Sequence, residues 1–113
     1  HIGFNEPADT FVYGCHIVNL TQSTIEANRR FFESENDVPR QAISLGIGSI
    51  MNARRILMVV SGEEKADIVC KAFTGPVTKE VPASVLQLHP DVTLVGDKAA
   101  LHKLVEAGVT VCG

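Results

Sequence analysis

An apolar run at residues 55–60 (RILMVV) constrains the fold of this chain more than any other stretch. The run ends at Ser61-Gly62, and an amphipathic helical pattern follows it from Glu63 to Phe73. A short apolar strand that leads through a glycine turn into a helix is typical of α/β proteins with parallel sheets. The run therefore predicts a buried strand of an α/β fold.

The rest of the chain alternates in the same way between short apolar runs and helical periodicity. Strands are predicted at 15–20, 42–46 and 91–95, and helices at 21–32, from about 48, at 82–88 and at 97–107. Strands separated by helices imply crossover connections and a Rossmann-like, mainly parallel open sheet flanked by helices on both faces. Thr21 or Ser23 is the expected N-cap of the helix at 21–32. The acidic stretch 33–40 (ESENDVPR) is expected to be an exposed loop.

Composition excludes several classes of protein. The chain has 113 residues, a formal net charge of −3 and 45% hydrophobic residues, which suits one small domain or part of a larger one. A mildly acidic chain offers no general attraction to nucleic acid or to anionic membranes, and no apolar run is long enough to span a bilayer. The three cysteines are scattered without CxxC spacing, which indicates reduced thiols in a cytoplasmic protein and no metal site.

The opening heptad, HIGFNEP, places the imidazole of His1 close to the carboxylate of Glu6. Gly3 permits backbone angles that other residues avoid, and Pro7 restricts the residue before it, so the heptad is expected to form a shaped loop. The loop is either a polar turn without a catalytic role or the carrier of an acid–base pair. The second interpretation rests on chemistry, because imidazole changes charge near neutral pH and a carboxylate can orient it.

Two cations are candidates for anion binding. Lys65 falls in the first turn of the helix that follows the strand at 55–60, and ligands bind outside the carboxyl ends of parallel strands. Arg30 lies near the end of the helix predicted at 21–32. Each residue also has a simpler interpretation, since Lys65 could be a solvated surface lysine and Arg30 could stabilise the helix dipole alone.

Five motifs in order resemble the later half of the glucosamine-6-phosphate deaminases, also called glucosamine-6-phosphate isomerases. They are HIGFNEP, ANRRFF, AISLGIGSIM, ILMVVSGEEKA and PASVLQLHPDVTLV, and the similarity runs from residue 1 to about residue 100. The resemblance implies that residues 1–113 are the C-terminal part of a single sugar-phosphate deaminase/isomerase domain. The N-terminal half of that domain is absent from this chain.

The resemblance also implies a reaction and roles for four residues. The reaction is the isomerisation and deamination of glucosamine 6-phosphate to fructose 6-phosphate and ammonia in amino-sugar catabolism, without a metal or organic cofactor. The histidine matching His1 is the family's ring-opening acid–base, and the glutamate matching Glu6 belongs to the same relay and supports it. The residues matching Arg30 and Lys65 hold the substrate phosphate. The expected partner is a small hexosamine phosphate. A homo-oligomer is also compatible with the resemblance.

Other parts of the family pattern lie outside this chain or differ within it. The family's enolisation base, an aspartate, and its glycine-rich phosphate loop lie upstream of the motif matching His1, so the chain alone is expected to be inactive. His16 and Val18 stand where allosteric members carry arginine and lysine, so activation by N-acetylglucosamine 6-phosphate is not expected. The segment 20–40 matches a helix and loop that move in related deaminases, and it is expected to act as a lid over the site.

Three other functions stay open on the sequence. A galactosamine-6-phosphate deaminase giving tagatose 6-phosphate would share the ring-opening and phosphate-binding residues. A 6-phosphogluconolactonase is a more distant relative that would not need HIGFNEP in this form. A non-catalytic sugar-phosphate sensor on the same fold would need the phosphate-binding residues but not the acid–base pair.

Overall fold

A computed structural model describes residues 1–8 and 10–113, and within them strands and helices alternate along the chain. The elements in chain order are β1 (His16–Asn19), α1 (Gln22–Asn28), β2 (Gln41–Ser44), α2 (Ile47–Met51), β3 (Ile56–Val60), α3 (Ala66–Thr74), β4 (Val92–Gly96) and α4 (Lys98–Glu106). Short 3-10 helices lie at Arg29–Phe31, Glu35–Asp37, Glu63–Lys65 and Pro82–Leu88. Within this described part, no helix combines the length and the apolar character that crossing a bilayer requires.

Strands β3 and β4 pair in parallel, as the apolar run at 55–60 predicts. Their register aligns Ile56 with Val92 at one end and Val60 with Gly96 at the other. The connection between them contains α3 and the 3-10 helix at 82–88, which is the crossover that a parallel pair needs. The α/β class is therefore confirmed.

Strands β1 and β2 pair antiparallel, with Ile17 opposite Ile43, and the sequence did not predict this orientation. The physical reason lies in the segment between them. The N–H of Leu20 donates to the carbonyl of Arg40 at 2.9 Å, so the two ends of the segment 20–40 meet. The chain thus leaves and re-enters the sheet at one point, and the two strands run in opposite directions.

The core lies on one face of the β3–β4 pair. Its buried members are apolar residues of the opening heptad, α2, α3 and the helix at 82–88, namely Ile2, Ile47, Ala72, Ala83, Val85 and Leu86. The opposite face carries Leu57 and Val59, whose side chains are 66% and 70% exposed. Successive residues of a strand point to opposite faces. Among the residues that the structure describes, helices cover the face with the core and leave Leu57 and Val59 exposed.

Helix α1 and the loop after it follow the sequence prediction with one difference. Thr21 is the N-cap and its side chain accepts from the N–H of Thr24, and the helical conformation continues through a 3-10 turn to Phe31. The stretch 33–40 is mostly exposed, but Val38 is buried at 3% exposure. Val38 is therefore a buried residue in a loop that the sequence predicted to be exposed.

Candidate active site

The opening heptad forms a tight turn whose base lies in the core. The N–H of Ile2 donates to the carbonyl of Asn5 at 3.2 Å, and the N–H of Asn5 donates back to Ile2 at 3.0 Å. Gly3, between them, has a φ of 56°, a left-handed conformation that favours glycine. Because Ile2 is buried in the core, the neighbouring His1 is fixed at the edge of the core while its own side chain stays exposed.

Asn5 attaches this turn to the end of β2, a role that sequence reasoning did not assign. Its side-chain amide donates to the carbonyl of Ile2 at 2.9 Å and to the carbonyl of Leu45 at 2.6 Å. The hydroxyl of Ser44 lies 3.3 Å from the same amide and accepts from the N–H of Phe4 at 3.2 Å. Asn5 is only 8% exposed, and its buried amide is satisfied by these contacts.

The imidazole of His1 has one nitrogen engaged within its own turn. Its Nδ1 lies 2.8 Å from the carbonyl of Gly3, which can only accept a hydrogen bond. The neutral ring therefore carries its proton on Nδ1, and Nε2 holds the lone pair. An imidazole fixed in this tautomer can take a proton at Nε2 and return it, as ring opening requires.

Lys65 lies on a turn that leads from β3 into α3. The turn begins at Gly62, which has a φ of 96°, and the N–H of Lys65 donates to the Gly62 carbonyl at 3.1 Å. Lys65 is exposed and forms the N-cap of α3. A cation at this end of a helix opposes the helix dipole, so the position is unfavourable unless an anion or the neighbouring carboxylates offset it.

His1 and Lys65 line the same cavity, which has a volume of about 390 Å³. They are its charged or titratable residues, and the remaining lining comes from Gly3 and from apolar residues of the heptad, α2, β3, α3 and the helix at 82–88. Apolar walls strengthen electrostatic interactions with a bound anion. The structure therefore brings together two of the four site residues that the sequence indicates.

The carboxylate of Glu6 accepts its hydrogen bonds from the start of α1. One carboxylate oxygen accepts from the N–H of Thr21 at 3.2 Å, and the other accepts from the hydroxyl of Thr21 at 3.1 Å and from the hydroxyl of Thr24. Within residues 1–8 and 10–113, no hydrogen bond joins Glu6 to His1. Glu6 instead lines a second cleft of about 350 Å³, together with Lys79.

Arg30 lies apart from both cavities in this conformation. It belongs to the 3-10 turn after α1, its side chain is exposed, and its guanidinium carbon is 4.7 Å from the centre of the Phe31 ring. Arg30 does not line the cavity that holds His1 and Lys65.

Sequence reasoning missed Thr21 and Thr24 as partners of Glu6. It gave Thr21 or Ser23 as the N-cap of α1, and in the structure the N-cap is Thr21. The contact to Glu6 joins residues that are 15 positions apart, which no local pattern reveals. Elsewhere, the described residues contain no group of three histidine, cysteine or acidic side chains that could hold a metal ion.

Comparison with known proteins assigns the family. A sequence model described as glucosamine-6-phosphate isomerases/6-phosphogluconolactonase matches residues 20–95. Proteins named glucosamine-6-phosphate deaminase from Leuconostoc citreum and Streptococcus thermophilus are each 60% identical over 104 residues, which is 92% of this chain and 45% of theirs. The corresponding protein of Clostridioides difficile is 56% identical and is covered over 42% of its length.

A solved structure agrees with these matches. It is a monomeric glucosamine-6-phosphate deaminase with a TM-score of 0.86 and 43% identity, aligned over 91% of this chain and 43% of its own. The chain thus spans less than half the length of the relatives it matches. Residues 20–95 are the greater part of the chain, and the relatives match nearly all of it. The chain belongs to the family of glucosamine-6-phosphate isomerases and 6-phosphogluconolactonases.

Proposed function

We propose that the full-length protein is a glucosamine-6-phosphate deaminase that converts glucosamine 6-phosphate to fructose 6-phosphate and ammonia. The observation that carries this proposal is the cavity shared by His1 and Lys65. It combines an imidazole for proton transfer with a cation for a phosphate, and a hexosamine phosphate presents both a ring oxygen and a phosphate. The relatives with 53–60% identity that bear this name support the same reaction.

His1 is proposed to open the sugar ring. Its Nδ1 proton is engaged with the Gly3 carbonyl, so Nε2 is the nitrogen that exchanges a proton with the substrate. Imidazole suits this step because it both gives and takes a proton near neutral pH. Ile2 in the core fixes the position from which the ring acts.

Lys65 is proposed to bind the substrate phosphate, and Arg30 to join it when the segment 20–40 closes. Lysine provides a compact charge, and arginine can bind phosphate through two parallel hydrogen bonds. Since the phosphate is remote from the reacting carbons, binding it places the sugar for reaction at the other end. The apolar walls around Lys65 strengthen this interaction.

Glu6 is proposed to support the proton relay through the heptad that it shares with His1. Its carboxylate accepts from Thr21 and Thr24, which fixes the heptad relative to the first turn of α1. Glu6 therefore connects the loop that carries the acid–base residue with the helix that leads to Arg30. Closure of α1 over a bound sugar would change these contacts and bring the Glu6 carboxylate close to the substrate.

The proposed activity is that of a full-length protein as long as the relatives that this chain matches. Residues 1–113 are proposed to be the C-terminal part of one deaminase/isomerase domain and to be inactive alone, because the family's enolisation base precedes the motif of His1. A cytoplasmic location and the oligomeric state stay predictions. Light scattering on the full-length protein would measure its oligomeric state. The related solved structure is a monomer.

A comparison of substrates tests the proposal. The full-length protein should release ammonia from glucosamine 6-phosphate and form fructose 6-phosphate, with a higher kcat/KM than for galactosamine 6-phosphate. A preference for galactosamine 6-phosphate would reassign the substrate, and hydrolysis of 6-phosphogluconolactone alone would reassign the reaction. Binding of hexosamine phosphates without any ammonia release would indicate a sensor and overturn the proposal.

A further inference from the structure

Helix α4 contacts the turn that carries Lys65 through two of its polar residues. The first is Asp97, the N-cap of α4, which accepts from the N–H of Ala100 at 2.8 Å. Its two carboxylate oxygens also lie 3.2 and 3.1 Å from the N–H of Gly62, which donates to them. Gly62 has a φ of 96°, so the chain turns sharply at this contact. Asp97 thus fixes the start of the turn against α4.

The second residue is His102, which lies between two carboxylates. Its Nε2 is 2.7 Å from the carboxylate of Glu63, and its Nδ1 is 3.1 Å from the carboxylate of Glu106. Ionised carboxylates only accept hydrogen bonds, so both ring nitrogens must donate, and the ring must be an imidazolium to make both contacts. Glu63 belongs to the same 3-10 turn as Lys65.

The charges around His102 favour this bridge. Glu63 faces it from the turn, Glu106 and Lys103 lie on its own helix, and Asp67 faces it from α3. Lys103 is paired with Asp67 at 2.6 Å, which leaves Glu63 and Glu106 to the imidazole. Hydrogen bonds to Glu106 and then to Glu63 raise the pKa of His102 above its ordinary value of 6.5.

The direction of the pH effect follows from this arrangement. The bridge is complete below the ordinary pKa of His102 and is lost as the pH rises through the raised pKa. A neutral ring has a single N–H and can donate to only one of the two carboxylates. The contact between α4 and the Lys65 turn therefore weakens as the pH rises through the raised pKa of His102.

We propose that His102 is a positioning residue for Lys65. As an imidazolium, His102 holds the turn Glu63–Lys65 against α4 and so strengthens anion binding in the cavity. This inference rests on the proposed role of Lys65 in binding phosphate. His102 itself does not line that cavity and acts only through Glu63. Asp97 also holds the start of the turn, through the N–H of Gly62 next to Glu63.

Inorganic sulfate is the probe, because its charge does not change between pH 6 and pH 9. Calorimetry on the full-length protein compares wild type with His102→Gln, which keeps a donor for one carboxylate but cannot titrate. From pH 6 to pH 9, the wild-type affinity should fall roughly two- to five-fold more than that of His102→Gln, the scale of an exposed ion pair. His1 is present in both proteins, so its own titration cancels in the comparison.

Two further variants complete the experiment. His89→Gln removes a histidine that contacts the carbonyl of Ala53 and the N–H of Asp91, away from the turn, and should keep the wild-type pH dependence. Glu63→Gln removes the carboxylate on the turn and should flatten the pH dependence as His102→Gln does. It also keeps the test decisive if His102→Gln does not fold, and melting temperatures show whether each variant folds.

The inference is overturned if the sulfate affinities of wild type, His102→Gln and Glu63→Gln show the same pH dependence. It is also overturned if Lys65→Ala binds sulfate as tightly as wild type, since the turn would then not carry the anion site. Sulfate binding needs no turnover. Absence of ammonia release would therefore overturn the proposed function and leave this result unchanged.

Discussion

The carboxylate of Glu6 accepts hydrogen bonds from both the N–H and the hydroxyl of Thr21, at 3.2 and 3.1 Å. Thr21 is also the N-cap of α1, so one residue serves the opening heptad and the helix at the same time. Thr21→Ala should lower the free energy of unfolding of the full-length protein by about 1 kcal/mol, the usual effect of losing a cap. Urea denaturation measures this loss.

Thr21→Ser is the matched control, because serine keeps the hydroxyl that caps α1 and donates to Glu6. It should restore most of the stability that Thr21→Ala loses. Equal midpoints for all three proteins would mean that this junction contributes nothing to stability.

Lys65 and Arg30 should each matter for the phosphate and little for the sugar. Lys65→Ala or Arg30→Ala should weaken binding of a sugar-phosphate inhibitor by roughly 1.5–3 kcal/mol, the scale of a hydrogen bond to a charged group. The same substitutions should change the binding of an unphosphorylated analogue much less. Isothermal titration calorimetry with the two ligands gives both values.

Controls for these variants carry the same change of charge elsewhere on the surface. Lys71→Ala removes an exposed lysine of α3, and Arg54→Ala removes an exposed arginine before β3. Both should bind the inhibitor as wild type does. If Lys65→Ala weakens phosphorylated and unphosphorylated ligands equally, the phosphate assignment is wrong.

The segment 20–40 should close over the site when ligand binds. Its two ends meet at the hydrogen bond from Leu20 to Arg40, so we expect the segment to move as one unit. Arg30 lies outside the cavity in this conformation, and closure would bring it to the phosphate. Hydrogen exchange on the full-length protein should show strong protection of 20–40 by a sugar-phosphate inhibitor.

Strand β3, at 56–60, is the internal reference for that experiment, because its backbone pairs with β4. Its exchange should change little. Equal protection of 20–40 with and without inhibitor would show that the segment is a fixed wall.

The ion pair between Asp67 and Lys103 should contribute stability that disappears in acid. A hydrogen bond and the charge of Lys103 lower the pKa of Asp67 below its ordinary value of 3.8. This contribution is present above pH 3.8 and is lost as the pH falls through the lowered pKa. The melting temperature of wild type should therefore exceed that of Asp67→Asn at pH 6, and the difference should shrink towards pH 2. A constant difference across this range would contradict the assignment.

Local patterns predicted the elements of this fold better than their arrangement. The strand at 55–60, the helix at 82–88 and an N-cap at Thr21 or Ser23 were predicted from neighbouring residues. The structure confirms the strand and the helix, and its N-cap is Thr21. The antiparallel pairing of β1 with β2 was not predicted, because it depends on the meeting of Leu20 and Arg40 at the two ends of a long excursion. Strand orientation of this kind is not encoded in the periodicity of either strand.

In the candidate site too, the residues were predicted better than their contacts. The order of motifs indicated His1 and Lys65 together, and both line one cavity. The family resemblance implied that Glu6 supports His1, and in the structure the Glu6 carboxylate accepts from Thr21 and Thr24. Proximity in sequence does not decide which donors reach a carboxylate when a helix begins beside it.

The turnover of His1→Gln in the full-length protein tests the central claim most directly. Removing a general acid–base residue should lower kcat for ammonia release from glucosamine 6-phosphate by roughly 100- to 10,000-fold. Binding of a sugar-phosphate inhibitor should persist, because Lys65 remains, and His89→Gln should keep normal turnover. A His1→Gln protein that releases ammonia at the wild-type rate would contradict the account.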